Sequence, residues 1–313
     1  MHVYPYIASL SGLRVTPSEA ALFRAFPPAG FILFRRNVDT PTQVKDLCAT
    51  LYNHSPIRPL PILIDQEGGR VQRLNRPYWP AYPAMGTLEA PQAVYDANVL
   101  IATGLREVGI TVNCTPVCDL RLNNAHFIIG DRAFGSTPDA VIENAGAVIR
   151  AHNDVGIVSI LKHIPGHGRA TEDSHLALPV VHTGLDVLME TDFAPFKALN
   201  APWAMTAHIV YTAIDAAQPA TWSRRVIERI IRGHIGFKGI LISDDVGMKA
   251  LTGAYRDRAA KAMAAGCDLA LHCSGELEEM QDMVQGLLPM GTAALARLQE
   301  SMVLGHNKGR AYA

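Results

Sequence analysis

PPAGFILFRRNVDTPTQVKDLCATLYNHSPIRPLPILID, residues 27–65, holds one complete strand–helix–strand unit. Gly30 to Phe34 is a short apolar run without strict alternation, the pattern of a strand buried on both faces in a parallel sheet. Thr40-Pro41-Thr42-Gln43 then reads as a helix start, with a capping side chain, proline at the first helical position and an amide three residues on. Pro61 to Asp65 is the next apolar run, and it ends on a carboxylate.

The same unit recurs along the 313 residues. Apolar runs fall at Tyr6 to Leu10, Gly30 to Phe34, Pro61 to Asp65, Ile110 to Val117, Ile157 to Leu161, Trp203 to His208, Gly239 to Ser243 and Leu269 to His272, eight in all. Thr16-Pro17-Ser18-Glu19 is a second capping box, and Gly109, Gly156, Gly236 and Gly266 each sit where a left-handed residue would stop a helix before the next strand. Eight such repeats predict an α/β fold, a single (β/α)8 TIM barrel spanning 1–313 with no C-terminal second domain. A doubly wound open sheet is the competitor; no Gly-rich phosphate fingerprint follows the first strand, which disfavours it.

Composition agrees with a compact enzyme. The apolar set reaches 49% and charged residues only 18%, which argues against disorder. A net charge of -1 with no block of five like charges excludes the basic footprint of a nucleic-acid binder. No stretch offers eighteen uninterrupted apolar residues, so no membrane span is expected. Residues 1–20 lack a basic region leading into an apolar run, and the five cysteines are odd in number and scattered; both point to a cytoplasmic protein with reduced thiols. Cys114 and Cys118 are expected to be ordinary buried thiols, because no second Cys or His pair lies nearby at zinc spacing. Neither a metal nor a cofactor is expected.

In a barrel the chemistry sits at the C-terminal ends of the strands. The polar residues there include Asp65 through Arg73, Asp119, Arg132, Lys162, His163, His208 and Asp244-Asp245. Singly, each has an ordinary explanation: Asp65 or Asp245 as a helix cap, Arg73 or Arg132 as a solvated group, His208 as a satisfied core histidine. Convergence on one rim favours a polar ligand. KHIPGHGRATEDSH, Lys162 to His175, reads as a lid, its proline and glycines allowing the backbone to swing. Within it Asp173 and His175 are two apart, so in an extended stretch their side chains share a side and can pair, leaving one imidazole nitrogen for proton transfer. Asp244, at the tip of LISDDV, can attack an anomeric carbon as the nucleophile of a retaining glycosidase.

IDQEGGRVQR (Ile64 to Arg73), GDRAFG (Gly130 to Gly135), KHIPGHG through DSH (Lys162 to His175), MTAHIVY (Met205 to Tyr211) and GILISDDVGM (Gly239 to Met248), in this order, resemble the glycoside hydrolase family 3 β-N-acetylglucosaminidases of the NagZ type. The resemblance implies a barrel that removes a terminal nonreducing β-linked N-acetylglucosamine with retention, acting in bacteria on GlcNAc-1,6-anhydro-MurNAc fragments during peptidoglycan recycling. It implies Asp244 as nucleophile, His175 as general acid/base with Asp173 its partner, and Asp65, Arg73, Arg132, Lys162 and His163 as the residues that hold the sugar. The chain departs from the family pattern at Ile164, usually Phe, and at Val246-Gly247, usually Leu-Ser. The expected partner is a small muropeptide or GlcNAc-terminated sugar, and the expected state a monomer.

Three other readings use the same residues. A phosphorylase would resolve the glycosyl-enzyme with phosphate, which an imidazole repels less than a carboxylate would. A metal-dependent hydrolase would use His163, His167 and His175 as ligands, although Gly-Pro hinges preset ligand geometry poorly. A sugar-binding protein without catalysis would have little use for Asp173, His175 and Asp244 together.

Overall fold

The computed structural model describes residues 2–122, 127–174 and 176–307, with side chains to residue 303. Eight parallel strands close into a barrel: β1 Tyr4–Ser9, β2 Pro28–Leu33, β3 Ile62–Ile64, β4 Val112–Asn113, β5 Val158–Ile164, β6 Trp203–Thr206, β7 Ile240–Asp245 and β8 Leu269–Leu271. Their spatial order follows the chain, and β8 closes on β1 with Tyr6 opposite Ala270. Each of the eight apolar runs supplies one strand. The fourth is shorter than its run because Pro116, which has no N–H, interrupts the ladder; pairing resumes only as a single bridge between Val117 and Lys162. Among the described residues no helix is long and apolar enough to cross a membrane.

Local chemistry accounts for the helix ends. Glu19 N–H donates to Thr16 Oγ1 at 3.2 Å while Thr16 N–H donates to Glu19 Oε2 at 2.7 Å, so the first capping box forms fully. The second is half formed: Gln43 N–H reaches Thr40 Oγ1 at 3.1 Å, but the Gln43 amide oxygen accepts from Asp39 N–H instead. Gly109, Gly156, Gly236 and Gly266 all have positive φ, as expected of residues that end helices.

Two apolar layers hold the barrel. Strand side chains such as Ile7, Phe31, Leu63 and Trp203 are fully buried, and the helices Pro41–Leu51, Pro91–Glu107 and Pro138–Val155 pack their apolar faces outside them. Burial of this kind contributes about 25 cal/mol per Å² of apolar surface. The short strands leave most polar side chains on the loops at their C-terminal ends, where the rim charges gather.

Candidate active site

The loop after β3 turns back on itself. Gln66–Gly68 pairs antiparallel with Val71–Gln72, and the reversal runs through Gly68 at φ 90° and Gly69 at φ 58°, a geometry glycine adopts without strain. There is no room for a side chain either, because a Cβ on Gly68 would lie 2.3 Å from the Pro83 carbonyl oxygen. The Gln66 amide oxygen accepts from the N–H groups of Arg73 and Leu74 at 2.8 and 3.0 Å, which locks the returning strand. Asp65, Glu67 and Arg73 are thereby brought to the same side.

There they meet groups from distant loops. Asp65 accepts from Arg73 Nη2 at 3.1 Å and from Lys162 Nζ, at the end of β5, at 3.0 Å. Glu67 accepts a two-pronged bond from Arg132, both prongs 2.8 Å, and its Oε1 stands 2.5 Å from Lys162 Nζ. Burial by itself would raise both carboxyl groups, but Lys162 and Arg73 hold Asp65 far below the usual range, and Arg132 and Lys162 hold Glu67 down to about 2. Burial likewise opposes the charge on Lys162, and the two carboxylates more than offset it, so the ammonium stays protonated. The cluster is a fixed array of donors and acceptors with charge-assisted bonds throughout.

A second buried group lies beside it. Asp119, on the loop after β4, accepts from the His163 ring at 2.7 Å through Oδ2, and its Oδ1 accepts from His167 N–H at 2.6 Å. The carboxylate sets the His163 ring orientation and tautomer. Burial would raise Asp119, and His163 pulls it below the usual range.

Asp244 closes the site from the opposite wall. Its Oδ1 accepts from Asp245 N–H at 2.8 Å, and its own N–H points to Thr206 Oγ1 at 3.3 Å. His208 is satisfied as a core histidine, with Nδ1 2.7 Å from Thr221 Oγ1 and Nε2 2.9 Å from the Asp245 carbonyl, so it braces the backbone beside Asp244. Burial lowers the His208 ring, favouring its neutral form. Asp65, Arg73, Arg132, Lys162, His163 and Asp244 line one cavity of about 280 Å³. A larger groove, about 450 Å³, opens at the other end of the barrel beside Pro202 and Gly239 and has none of these groups.

Six of the expected site residues thus converge. Asp173 is half-buried and does not line that cavity, and His175 lies outside the described residues. The expected swinging lid differs in its first half. β5 runs through Ile164, so Lys162 and His163 sit within a strand, and Gly166 and Gly168 are small because Asp192 and Leu120 lie against them. Glu67 and Asp119 stand among the polar residues at strand ends in the sequence, but sequence reasoning gave neither a role. The alternation of an extended chain would have placed Glu67 on the face of Asp65; for Asp119 the strand-end position is the one local signal. Among the described residues, no group of three or more His, Cys, Asp or Glu side chains is placed to hold a metal ion.

Comparison with known proteins bears on the family and the fold. Residues 14–303 match the glycosyl hydrolase family 3 N-terminal domain. The chain is 37% identical over 313 residues to a β-hexosaminidase of Stenotrophomonas maltophilia, covering 96% of this chain and 92% of that one. A β-hexosaminidase of Pseudomonas aeruginosa is 36% identical over 274 residues, 85% of this chain and 81% of that one. NagZ from Neisseria gonorrhoeae, solved with N-trifluoroacetyl-D-glucosamine, superposes with TM-score 0.88 at 34% identity, over 99% of this chain and 93% of that one. A family 3 β-N-acetylglucosaminidase from Paenibacillus superposes with TM-score 0.88 at 30% identity over 99% of this chain, which spans 62% of that longer protein. A barrel whose strand ends carry converging acids and bases, matched over nearly all its length, belongs to glycosyl hydrolase family 3, and the protein is a glycoside hydrolase.

Proposed function

We propose that the enzyme is a retaining exo-β-N-acetylglucosaminidase that removes terminal nonreducing β-linked GlcNAc. The observation that carries this reading is that Asp244, on one wall, shares a cavity with the fixed cluster of Asp65, Arg73, Arg132, Lys162 and His163 on the other. Such an array suits a polyhydroxylated ring, because each hydroxyl can both donate to a carboxylate and accept from a cation. The sugar analogue bound to the Neisseria NagZ supports the N-acetylglucosamine ring as occupant.

In this reading an Asp244 carboxylate oxygen attacks C1 of the sugar. The bond from C1 to the leaving oxygen breaks through an oxocarbenium-like transition state, and His175 gives that oxygen its proton. Asp173 steadies the imidazole. Water then attacks C1, His175 takes its proton, and the bond to Asp244 breaks. The ion cluster holds the ring in place, while the Asp244 carboxylate faces the positive charge that develops at C1. The substrate is taken to be GlcNAc-1,6-anhydro-MurNAc, with or without its peptide, met in the cytoplasm during cell-wall recycling by a single-domain monomer.

The test is a slow fluorinated N-acetylglucosaminide, followed by peptide mapping of the labelled enzyme. Label on Asp244 supports the reading, and label on another residue sinks it. Asp244→Asn should lower kcat by about 10⁴-fold or more, the order expected when a covalent nucleophile is removed. Turnover of GlcNAc-anhydro-MurNAc beside chitobiose, with and without phosphate, separates free sugar from sugar-1-phosphate and so a hydrolase from a phosphorylase.

A further inference from the structure

The loop that follows β5 is held at its base and again near its far end by one side chain. At the base, His167 N–H donates to Asp119 Oδ1 at 2.6 Å, the Tyr211 hydroxyl donates to the Gly166 carbonyl, and Arg169 Nε donates to Asp192 Oδ2 at 2.6 Å. From that base the His167 ring crosses the loop, and its Nε2 lies 3.1 Å from Ser174 Oγ, with both residues buried. Ser174 stands between Asp173 and His175 in the chain. The other face of the ring packs edge-on against His163, centroids 5.5 Å apart, and His163 is itself fixed by Asp119.

We propose that His167 is a positioning residue for acid catalysis: a strut that fixes Ser174, and with it the Asp173–His175 pair, relative to the Asp119 and His163 wall. The physical case is one of reach. Beyond the buried Ala170, Thr171, Glu172 and Asp173 have little apolar surface to bury, so ordering them costs backbone entropy that no core packing offsets. One buried hydrogen bond to Ser174 restricts the chain next in sequence to the proposed proton donor, where a 1 Å misplacement can cost about 10²-fold in rate. The ring suits the task because it stays neutral. Burial first, and then the neighbouring His163, lower it to about 4, so across neutral pH it neither repels nor protonates its partners.

This inference rests on the reading of His175 as general acid, and its test separates the two. Glutamine can bring an amide nitrogen close to the place of a histidine Nε2, whereas asparagine falls short of Ser174. His167→Asn should lower kcat/KM by about 10²-fold on a disaccharide with a poor leaving group and by under about 3-fold on an activated aryl glycoside; His167→Gln should recover most of the loss. Ser174→Ala removes one oxygen from the far end of the strut, and should show the same dependence on leaving group if His167→Asn fails to fold. Equal losses on both substrates, a glutamine variant as poor as asparagine, or a Ser174→Ala enzyme indistinguishable from wild type would each overturn the role. His175→Ala is measured in parallel. If it alone shows the leaving-group dependence, only the strut is wrong; if it too loses both activities equally, the acid assignment falls and the strut with it.

Discussion

Lys162 Nζ stands 2.5 Å from Glu67 Oε1, although 95 positions separate the two residues (162 minus 67) and both are almost wholly buried. Asp65 and Arg132 complete the arrangement, so two carboxylates face two interior cations, with Arg73 at the edge. Buried ion clusters stabilise little relative to an apolar core, yet losing one member leaves uncompensated charge. What the cluster provides is a wall of defined geometry for a polar ligand.

Glu67→Gln keeps the shape of the side chain and removes its charge. Arg132 and Lys162 then lose their shared counter-ion. The variant should be less stable by about 3–5 kcal/mol, read from denaturant midpoints, with KM raised more than kcat is lowered. Unchanged stability together with unchanged KM would show that the cluster is dispensable.

Acid should unfold the protein through the same carboxylates. Their folded pKa values lie below the ordinary ones, so their contribution is fully present above the unfolded range and is lost as pH falls through the folded values. For Glu67 that window runs from its ordinary 4.5 down to about 2, and Asp65 extends it lower. Stability against pH should fall across this window in wild type and fall less steeply in Glu67→Gln. Parallel curves for the two proteins would contradict the assignment.

Gly68→Ala tests the hairpin. An alanine at φ 90°, with its Cβ 2.3 Å from the Pro83 oxygen, forces the turn to shift. A cost of about 1–3 kcal/mol is expected, with KM increased because Asp65, Glu67 and Arg73 move relative to Lys162. A crystal structure of the variant with these side chains unmoved, and with normal KM, would refute the role given to the turn.

Thr16→Ala serves as the contrast. It removes one side of the capping box on helix Pro17–Ala25, away from the cavity. A loss of about 1 kcal/mol is expected, visible as a small fall in Tm, while kcat and KM at low temperature stay at wild-type values. A change in KM would mean that this helix end communicates with the site.

Sequence by itself determined the barrel. Its signals are local: eight apolar runs, a threonine cap three residues before its partner, and a glycine where each of four helices ends, all readable within one unit because propensity and capping act over a few residues. Asp65, Arg73, Arg132, Lys162, His163 and Asp244 were legible as well, since each lies in the C-terminal part of a strand or on the loop beyond one, and a barrel brings those ends to one rim. Only the tertiary structure decided which charges meet. Glu67 pairs with Arg132 across 65 positions, and Asp65 with Lys162 across 97. The glycines of the loop after β5, legible as hinges, prove to be points of close packing against Asp192 and Leu120. Coulomb energy and excluded volume depend on distance through space, and barrel closure sets those distances.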